Sequence, residues 1–399
     1  MNAPPSIPRL FAAQGPSLDA HLDAFGELPC RDAELIAAVE ESGLSGRGGA
    51  GFPTARKMAA VTGRKPVVIA NGAEGEPLSR KDLTLLTRAP HLVLDGMAAS
   101  MAAINADMSF LYVHADAVPA VSVALDQRRA AGLEPHRVEI IEAPDRFVAG
   151  EESAAIRCIE GGPALPRDRT TVAAISGVRG RPTLVNNVET MAHIGLIARF
   201  GAQWFSSVGE PDSPGTMLVT LSGAVNPSVV EVPTGTSLTR LLDHGGADAA
   251  TLSAALIGGY HGTWLGADCF ADISLSRTGL RSADATPGAG IISALGRHEC
   301  GLARVAEIAG YLADQSARQC GPCLNGLPRL AELCAELAFG RASDHLVREI
   351  RRVAGLVEGR GSCRHPDGTT RMLRSALRVF ADDVELHLRR RCSAAVPVR

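Results

Sequence analysis

Among the residues whose types and spacing could do chemistry, the cysteines come first. Cys320-Gly321-Pro322-Cys323 and the later Cys363 place a CxxC pair and a distant third thiol in one chain. That pattern predicts a metal or iron–sulfur site, because thiolates held on one turn can share an ion or a cluster. A thioredoxin-like redox pair would need a βαβ surround, which is missing here. His365 adds an imidazole two residues past Cys363, so Cys320, Cys323, Cys363 and His365 also compose a Cys3His set for structural zinc. Cys30, Cys158, Cys269, Cys334 and Cys392 read as isolated and inert, and Cys300 stands too far along the chain from the pair to join it locally.

The second candidate is the run Gly46-Arg47-Gly48-Gly49-Ala50-Gly51-Phe52-Pro53-Thr54-Ala55-Arg56-Lys57. Backbone N–H groups in so bare a loop can turn inward on a phosphate, with Arg47 and Lys57 adding positive charge. Gly46, Gly48 and Gly51 satisfy G-x-G-x-x-G, but a dinucleotide fingerprint needs a strand in front. Here Leu35, Ile36 and Val39 lie at helical spacing before the loop, and the strand Val67-Val68-Ile69 follows it. The spacing therefore predicts a phosphate or cofactor loop of another kind, with an ordinary surface loop as the bland alternative.

Three polar motifs accompany the loop. Asn71, Glu74 and Glu76 follow directly from the first strand, where α/β sheets place ligands, or else form a solvated acidic turn. Glu151 and Glu152 open a helix, a position that also complements a helix dipole. Asn186 with Glu189 is an acceptable capping pair, and a capped helix N-terminus is itself an anion site.

The elements that must position these residues alternate. Strands are predicted at 67–70, 110–114 and 137–142, with helical patterns at 83–104 and 117–130 between them. This implies an α/β layer with a mainly parallel sheet over residues 31-205. Residues 1-30 are Pro-rich and read as a loosely ordered arm. A Gly/Pro/Ser-rich break at 206–215 precedes a region, 214-288, whose two β-rich runs, short helix and further strand read as a small β-grasp module. From 296 to 390 the pattern is helix only, with apolar faces such as Val305, Ile308, Ala309 and Leu312, and predicts a four-helix bundle carrying the cysteines.

Net charge of −3 argues against nucleic acid as a partner. No apolar run is long enough to span a membrane, and the first residues lack an apolar segment of signal-peptide length. An odd number of cysteines including a CxxC suits a reducing compartment, so a cytoplasmic location is expected.

The run through Lys57 resembles the flavin loop of the NADH-binding flavoprotein subunit of complex I, shared with diaphorase subunits of NAD-linked hydrogenases and formate dehydrogenases. The resemblance continues, in order, through Asn71–Asp82, Gly150-Glu151-Glu152-Ser153, Asn186-Asn187-Val188-Glu189-Thr190 and the cysteine motif, covering roughly residues 40 to 385. It implies an FMN-binding α/β domain, a β-grasp (soluble-ligand-binding) insert and a helical iron–sulfur domain. It further implies an oxidoreductase in which NADH reduces FMN and electrons leave through a [4Fe–4S] cluster to a ferredoxin-like or thioredoxin-like iron–sulfur partner. By the same resemblance Gly46, Arg47, Gly48, Gly49, Gly51, Phe52, Lys57, Asn71, Glu74, Glu76, Glu151, Glu152, Asn186 and Asn187 border flavin or nicotinamide, with Glu76 and Glu151 at the reacting end. Three departures stand out. Ala317 occupies the place of the first cluster ligand, leaving Cys320, Cys323 and Cys363. Ala60 and Leu165 replace aromatic residues of the nicotinamide pocket, and Ala73 replaces an aspartate. Two other readings follow from these departures: a flavoprotein that no longer binds NADH, and a non-redox member with structural zinc.

Overall fold

The computed structural model describes residues 8–29, 34–134, 137–168 and 171–394, so Cys30 lies outside the described residues. It divides into two compact units, Met1–Val219 with Val229–Thr236, and Thr220–Ser228 with Ser237–Arg399.

The first unit opens with α1 (Leu18–Phe25), α2 (Leu35–Glu41) and α3 (Thr54–Ala59), then alternates β1 (Val67–Gly72), α4 (Lys81–Arg88), α5 (Pro90–Ile104), β2 (Met108–Val113), α6 (Val118–Ala130), β3 (Val138–Glu142), α7 (Glu152–Ile159), β4 (Thr183–Asn187) and α8 (Val188–Ser206). The sheet has the order β3-β2-β1-β4 and is parallel throughout. Strands β1 and β2 are apolar on both faces (Val67, Val68, Ile69 and Ala70 are all inaccessible), as a sheet covered on both sides requires. The helix expected over 83–104 is two helices. Pro90 has no N–H to continue α4 and instead occupies the first turn of α5. Helices α5 and α8 approach backbone to backbone, since a Cβ on Gly96 would stand 1.7 Å from the Met191 carbonyl oxygen. That close crossing fixes where the first turn of α8 meets the end of the sheet.

The expectation of a loosely ordered arm fails over 8–29. Leu10 is inaccessible, Leu18 and Phe25 are buried, and the N–H groups of Leu10 and Phe11 donate to the Glu231 carboxylate. Burial of these side chains anchors a segment whose prolines alone suggested a tether.

After the short strands β5 (Gly209–Glu210) and β6 (Ser213–Pro214) come β7 (Thr216–Gly223) and β8 (Ser228–Pro233), within which the division between the units falls. The second unit continues with α9 (Leu238–His244), β9 (Leu252–Ile257), β10 (Thr263–Gly266) and β11 (Ile291–Gly296), in a mixed sheet of order β10-β9-β11-β7-β8. Strand β11 runs parallel to β7 and antiparallel to β9, and lies between the two segments expected at 214-288 and 296-390. The helical region follows as α10 (Gly301–Asp314), α11 (Leu327–Phe339), α12 (Asp344–Val357), α13 (His365–Val379) and α14 (Ala381–Leu388). Where four helices were expected, the described residues form five, because the last breaks at Phe380 into α13 and α14. Among the described residues no helix is long and apolar enough to cross a membrane.

Candidate functional site

Chain order makes β1 and β4 neighbours at the point where the strand order reverses, the place at which α/β sheets hold ligands beyond the strands' C-terminal ends. Register then brings two of the sequence motifs together: Ala70 stands beside Asn186, and Asn71 beside Asn187. The Asn187 amide donates to the Asn71 carbonyl at 3.1 Å, and the Asn71 amide donates to the Gly150 carbonyl at 2.8 Å. The segments that follow β1 and precede α7 touch through glycine. A Cβ on Gly75 would stand 2.2 Å from the Phe147 oxygen, and one on Gly150 would stand 2.5 Å from the Ala73 oxygen. The glycine-rich loop closes the assembly. It is a hairpin in which Ser45 bridges Pro53, and it is tied to α8 by the Arg47 N–H donating to Thr190 Oγ1 at 2.9 Å. Gly49 and Gly51 take positive φ (104° and 55°), which the loop's turns require. Gly48 faces Asn187, where a Cβ would meet the Asn187 Cβ at 3.2 Å.

Beneath Asn187 lies a buried ionic network that sequence reasoning missed. Lys81 Nζ sits 2.6 Å from Asp82 Oδ1, 2.9 Å from Glu189 Oε2 and 3.1 Å from Asn187 Oδ1. The Asn187 amide also donates to Asp82 Oδ2 at 2.6 Å, and its Oδ1 caps α8 by accepting from Glu189 N–H. The cap is therefore Asn187 rather than Asn186. Burial would raise Glu189, but Lys81 above all, then His193 and Arg47, hold it down to about 2. Burial raises Asp82 to about 7 even against Lys81, because Glu74 and Glu189 add negative charge. Lys81 stays protonated, Glu189 stays ionised, and Asp82 is the member that takes up a proton first. The sequence holds no local signal for this network, since Arg80-Lys81-Asp82 reads as a solvated first turn of a helix and Glu189 lies far along the chain.

The other candidates have definite partners. The Arg47 guanidinium is buried, donating to the Pro214 carbonyl at 3.0 Å, and its Nε has no partner. Lys57 pairs with Glu152 at 2.8 Å, with both side chains about 30% exposed. Glu151 is the N-cap of α7, accepting from the Ser153 and Ala154 N–H groups. Glu74 accepts from the Leu83 N–H in the first turn of α4, and Glu76 is half-buried in the turn whose carbonyl receives the Ser79 N–H. Phe52 leaves half its surface exposed at the loop's tip, with the Arg56 guanidinium over its ring. Ala73, Ala60 and Leu165 lie respectively at the end of β1, at the exposed end of α3 and half-buried after α7.

These residues fit a flavin mononucleotide. Asn186 Nδ2 is buried without a partner, a donor aimed at nothing in the protein. The first turn of α8 and the hairpin of glycines are tied together beside it by the Arg47 N–H on Thr190 Oγ1.

In the second unit a π-helical turn (Pro322–Gly326) carries Cys323 inward to 1% exposure. Cys323 is pushed up to about 12 by burial and by Cys320 and Cys363 beside it. Burial opposes ionisation of Cys320 as well, but hydrogen bonds from the Ser362 and Cys323 N–H groups bring it below the ordinary thiol value. Cys320 and Cys363 each lie near enough to Cys323 to oppose its ionisation, and hydrogen bonds favour the thiolate of Cys320. His365 does not join them. Its Nε2–H donates to the Leu312 carbonyl at 2.8 Å and its Nδ1 accepts from His261 at 3.1 Å, so both nitrogens are used. This removes the fourth ligand from the Cys3His zinc reading. Cys392, expected to be isolated, instead lies with Cys300 and His387.

Known proteins match both regions. Residues 39–196 match the family described as the Nuo51 FMN-binding domain. Residues 303–387 match the NADH-ubiquinone oxidoreductase-F iron-sulfur binding region. The chain is 30% identical over 372 residues to the F-type subunit of the NADH-quinone oxidoreductase of Streptomyces coelicolor, covering 89% of this chain and 83% of that one. It is 30% identical over 384 residues to the NADP-reducing hydrogenase subunit HndC of Solidesulfovibrio fructosivorans, covering 91% and 78%. Among solved structures it superposes on a chain of an NAD+-reducing [NiFe]-hydrogenase in the H2-reduced state with a TM-score of 0.82 and 31% identity. That match covers 89% of this chain and 62% of the hydrogenase chain, so the present chain spans less than two thirds of it.

Proposed function

The chain belongs to the NADH-binding FMN and iron–sulfur flavoprotein subunit family, and from that premise we propose a specific division of labour among its residues. It is an oxidoreductase subunit of the NADH, FMN and iron–sulfur type, made to pass electrons within a larger assembly. FMN, when bound, supplies the conversion of a two-electron hydride donor into single electrons. The hairpin Gly46–Phe52 and the first turn of α8 hold its phosphate and ribityl chain, with Asn186 Nδ2 as the buried donor and Asn187 kept in place by Lys81 and Asp82. Asn71 fixes the segment carrying Glu151, and Glu76 and Glu151 border the ring. Lys57 and Glu152 form a half-exposed pair at the loop's rim, where Phe52 receives the nicotinamide.

Cys320, Cys323 and Cys363 would hold an iron–sulfur cluster through three thiolates, because Ala317 stands at the place of the first ligand. The acceptor is a small ferredoxin-like or thioredoxin-like iron–sulfur subunit in the cytoplasm. The sheet order β10-β9-β11-β7-β8, with α9 between β8 and β9 along the chain, supports a β-grasp module whose central strand is β11. A flavoprotein exchanging electrons only with protein partners is the second reading, favoured by Ala60 and Leu165 at the nicotinamide pocket.

The observation that carries the main reading is the convergence, at one end of β1 and β4, of the hairpin, Asn71, Asn186 and Asn187. Its test is the flavin itself. Cofactor released by heat from the purified or reconstituted chain should chromatograph as FMN at one per chain, and recovery of FAD or of no flavin would refute the assignment.

A further inference from the structure

Outside the cysteine loop, the second unit gathers another set of soft ligands. Cys300 is the N-cap of α10, its extended backbone turning Sγ back toward the Ala303 N–H at 3.4 Å. Gly301 follows, and a Cβ there would stand 2.3 Å from the Phe380 ring, so this glycine lets the break between α13 and α14 pack on the start of α10. Helix α14 therefore runs beside Cys300 and brings His387, in its last turn, to 3.5 Å between Nε2 and Cys300 Sγ. Arg390 then adopts φ of 56°, and the N–H groups of Arg390 and Arg391 return to the His387 and Leu386 carbonyls. This reversal carries Cys392 back over the helix end. The two sulfurs and the imidazole nitrogen all lie within 4.8 Å of one another, each half-buried.

We propose that Cys300, His387 and Cys392 form a second metal site, which takes one divalent cation of zinc type through two thiolates and one imidazole. A tetrahedral ion with bonds of about 2.3 Å to sulfur and about 2.0 Å to nitrogen needs its ligands roughly 3.5–3.8 Å apart, a spacing that small side-chain movements reach from this arrangement. Binding replaces two S–H bonds by two metal–sulfur bonds and releases two protons to solvent, with no change of oxidation state. The fourth position belongs to water, which half-exposure of the ligands admits. Two thiolates and a dication sum to zero charge, so the ion adds no charge beside the exposed run Arg389-Arg390-Arg391. The ion ties the end of α14 to the start of α10 and so fastens the chain's last described residues to the helical region.

The test uses the full chain, purified anaerobically, loaded with iron and sulfide, equilibrated with zinc and freed of excess metal. Wild type should retain one zinc per chain that Cys392→Ser and His387→Asn each lose, with iron and flavin content unchanged. Zinc X-ray absorption of the wild type, which needs no variant to fold, should show two sulfur and one or two nitrogen or oxygen neighbours. Retention of zinc in both variants, three sulfur neighbours, absence of zinc from wild type, or a Cys300–Cys392 disulfide in the anaerobic protein would each overturn the proposal.

Discussion

Lys81→Met removes the cation that pairs with both Asp82 and Glu189 while keeping most of its volume. Lys81 makes two buried ion pairs, at 2.6 and 2.9 Å, and one hydrogen bond at 3.1 Å. Breaking a buried pair by deleting one partner costs about 3–5 kcal/mol, and losing the hydrogen bond costs about 1 kcal/mol more. Part of this is relieved when Asp82 takes up a proton, which it does near pH 7 even with Lys81 present. An acid whose folded value is raised binds more protons folded than unfolded, so its contribution is fully present below about 4 and is lost as pH rises through about 7. The loss caused by Lys81→Met should therefore be about 3 kcal/mol at pH 6 and about 5 kcal/mol at pH 8. Thermal denaturation of the flavin-free chain across this range measures it, at roughly 2–4 °C per kcal/mol for a unit of this size. Asp82→Asn, which leaves the Lys81–Glu189 pair intact, should cost about 1 kcal/mol and flatten the pH dependence between 4 and 7. A loss under 1 kcal/mol that does not change with pH would refute the buried network as the support of Asn187.

Three further perturbations test other parts. Asp95 pairs with His21, Arg128 and Arg199 at 2.7–2.8 Å and, despite burial, is held near 2 by them, so its contribution of about 2–3 kcal/mol exists above pH 4 and is lost on acidification toward 2. Asp95→Asn should remove that acid limb in a stability titration and lower the midpoint at pH 7. Ala317→Cys returns a thiolate at the CxxC turn and should raise iron and sulfide toward four each per chain, with loss of any three-iron electron paramagnetic resonance signal; unchanged iron would count against a cluster there. Ala60→Phe with Leu165→Phe should tighten NADH by about 5- to 150-fold from two restored stacking contacts, read as the Michaelis constant in dye reduction.

Much of this could be read from the chain because its signals were local. Apolar runs marked β1 and β2, the Val-Glu-Ile-Ile run marked β3, and Glu151-Glu152 announced the start of α7. The loop, Asn71 and Asn187 were legible as motifs, and the parallel register of β1 with β4 is what joins them. Strand β4 itself went unread because it is short and ends in two asparagines. What escaped was long-range. Lys81 reads as a surface lysine until Glu189, far along the chain, arrives beneath it. His365 looks like a ligand by its spacing from Cys363, yet its ring is held by Leu312 and His261. Cys392 looks isolated because its neighbour Cys300 lies 87 positions before His387 and meets it only through the packing of Phe380 on Gly301.

The most direct trial of the whole account is an anaerobic titration of the reconstituted chain with NADH, followed by visible absorption. Flavin bands should be present at one FMN per chain and should bleach on addition of NADH, with a broad iron–sulfur shoulder beneath them. A chain that binds no flavin, or whose flavin is reduced by dithionite but stays oxidised under excess NADH, would contradict it.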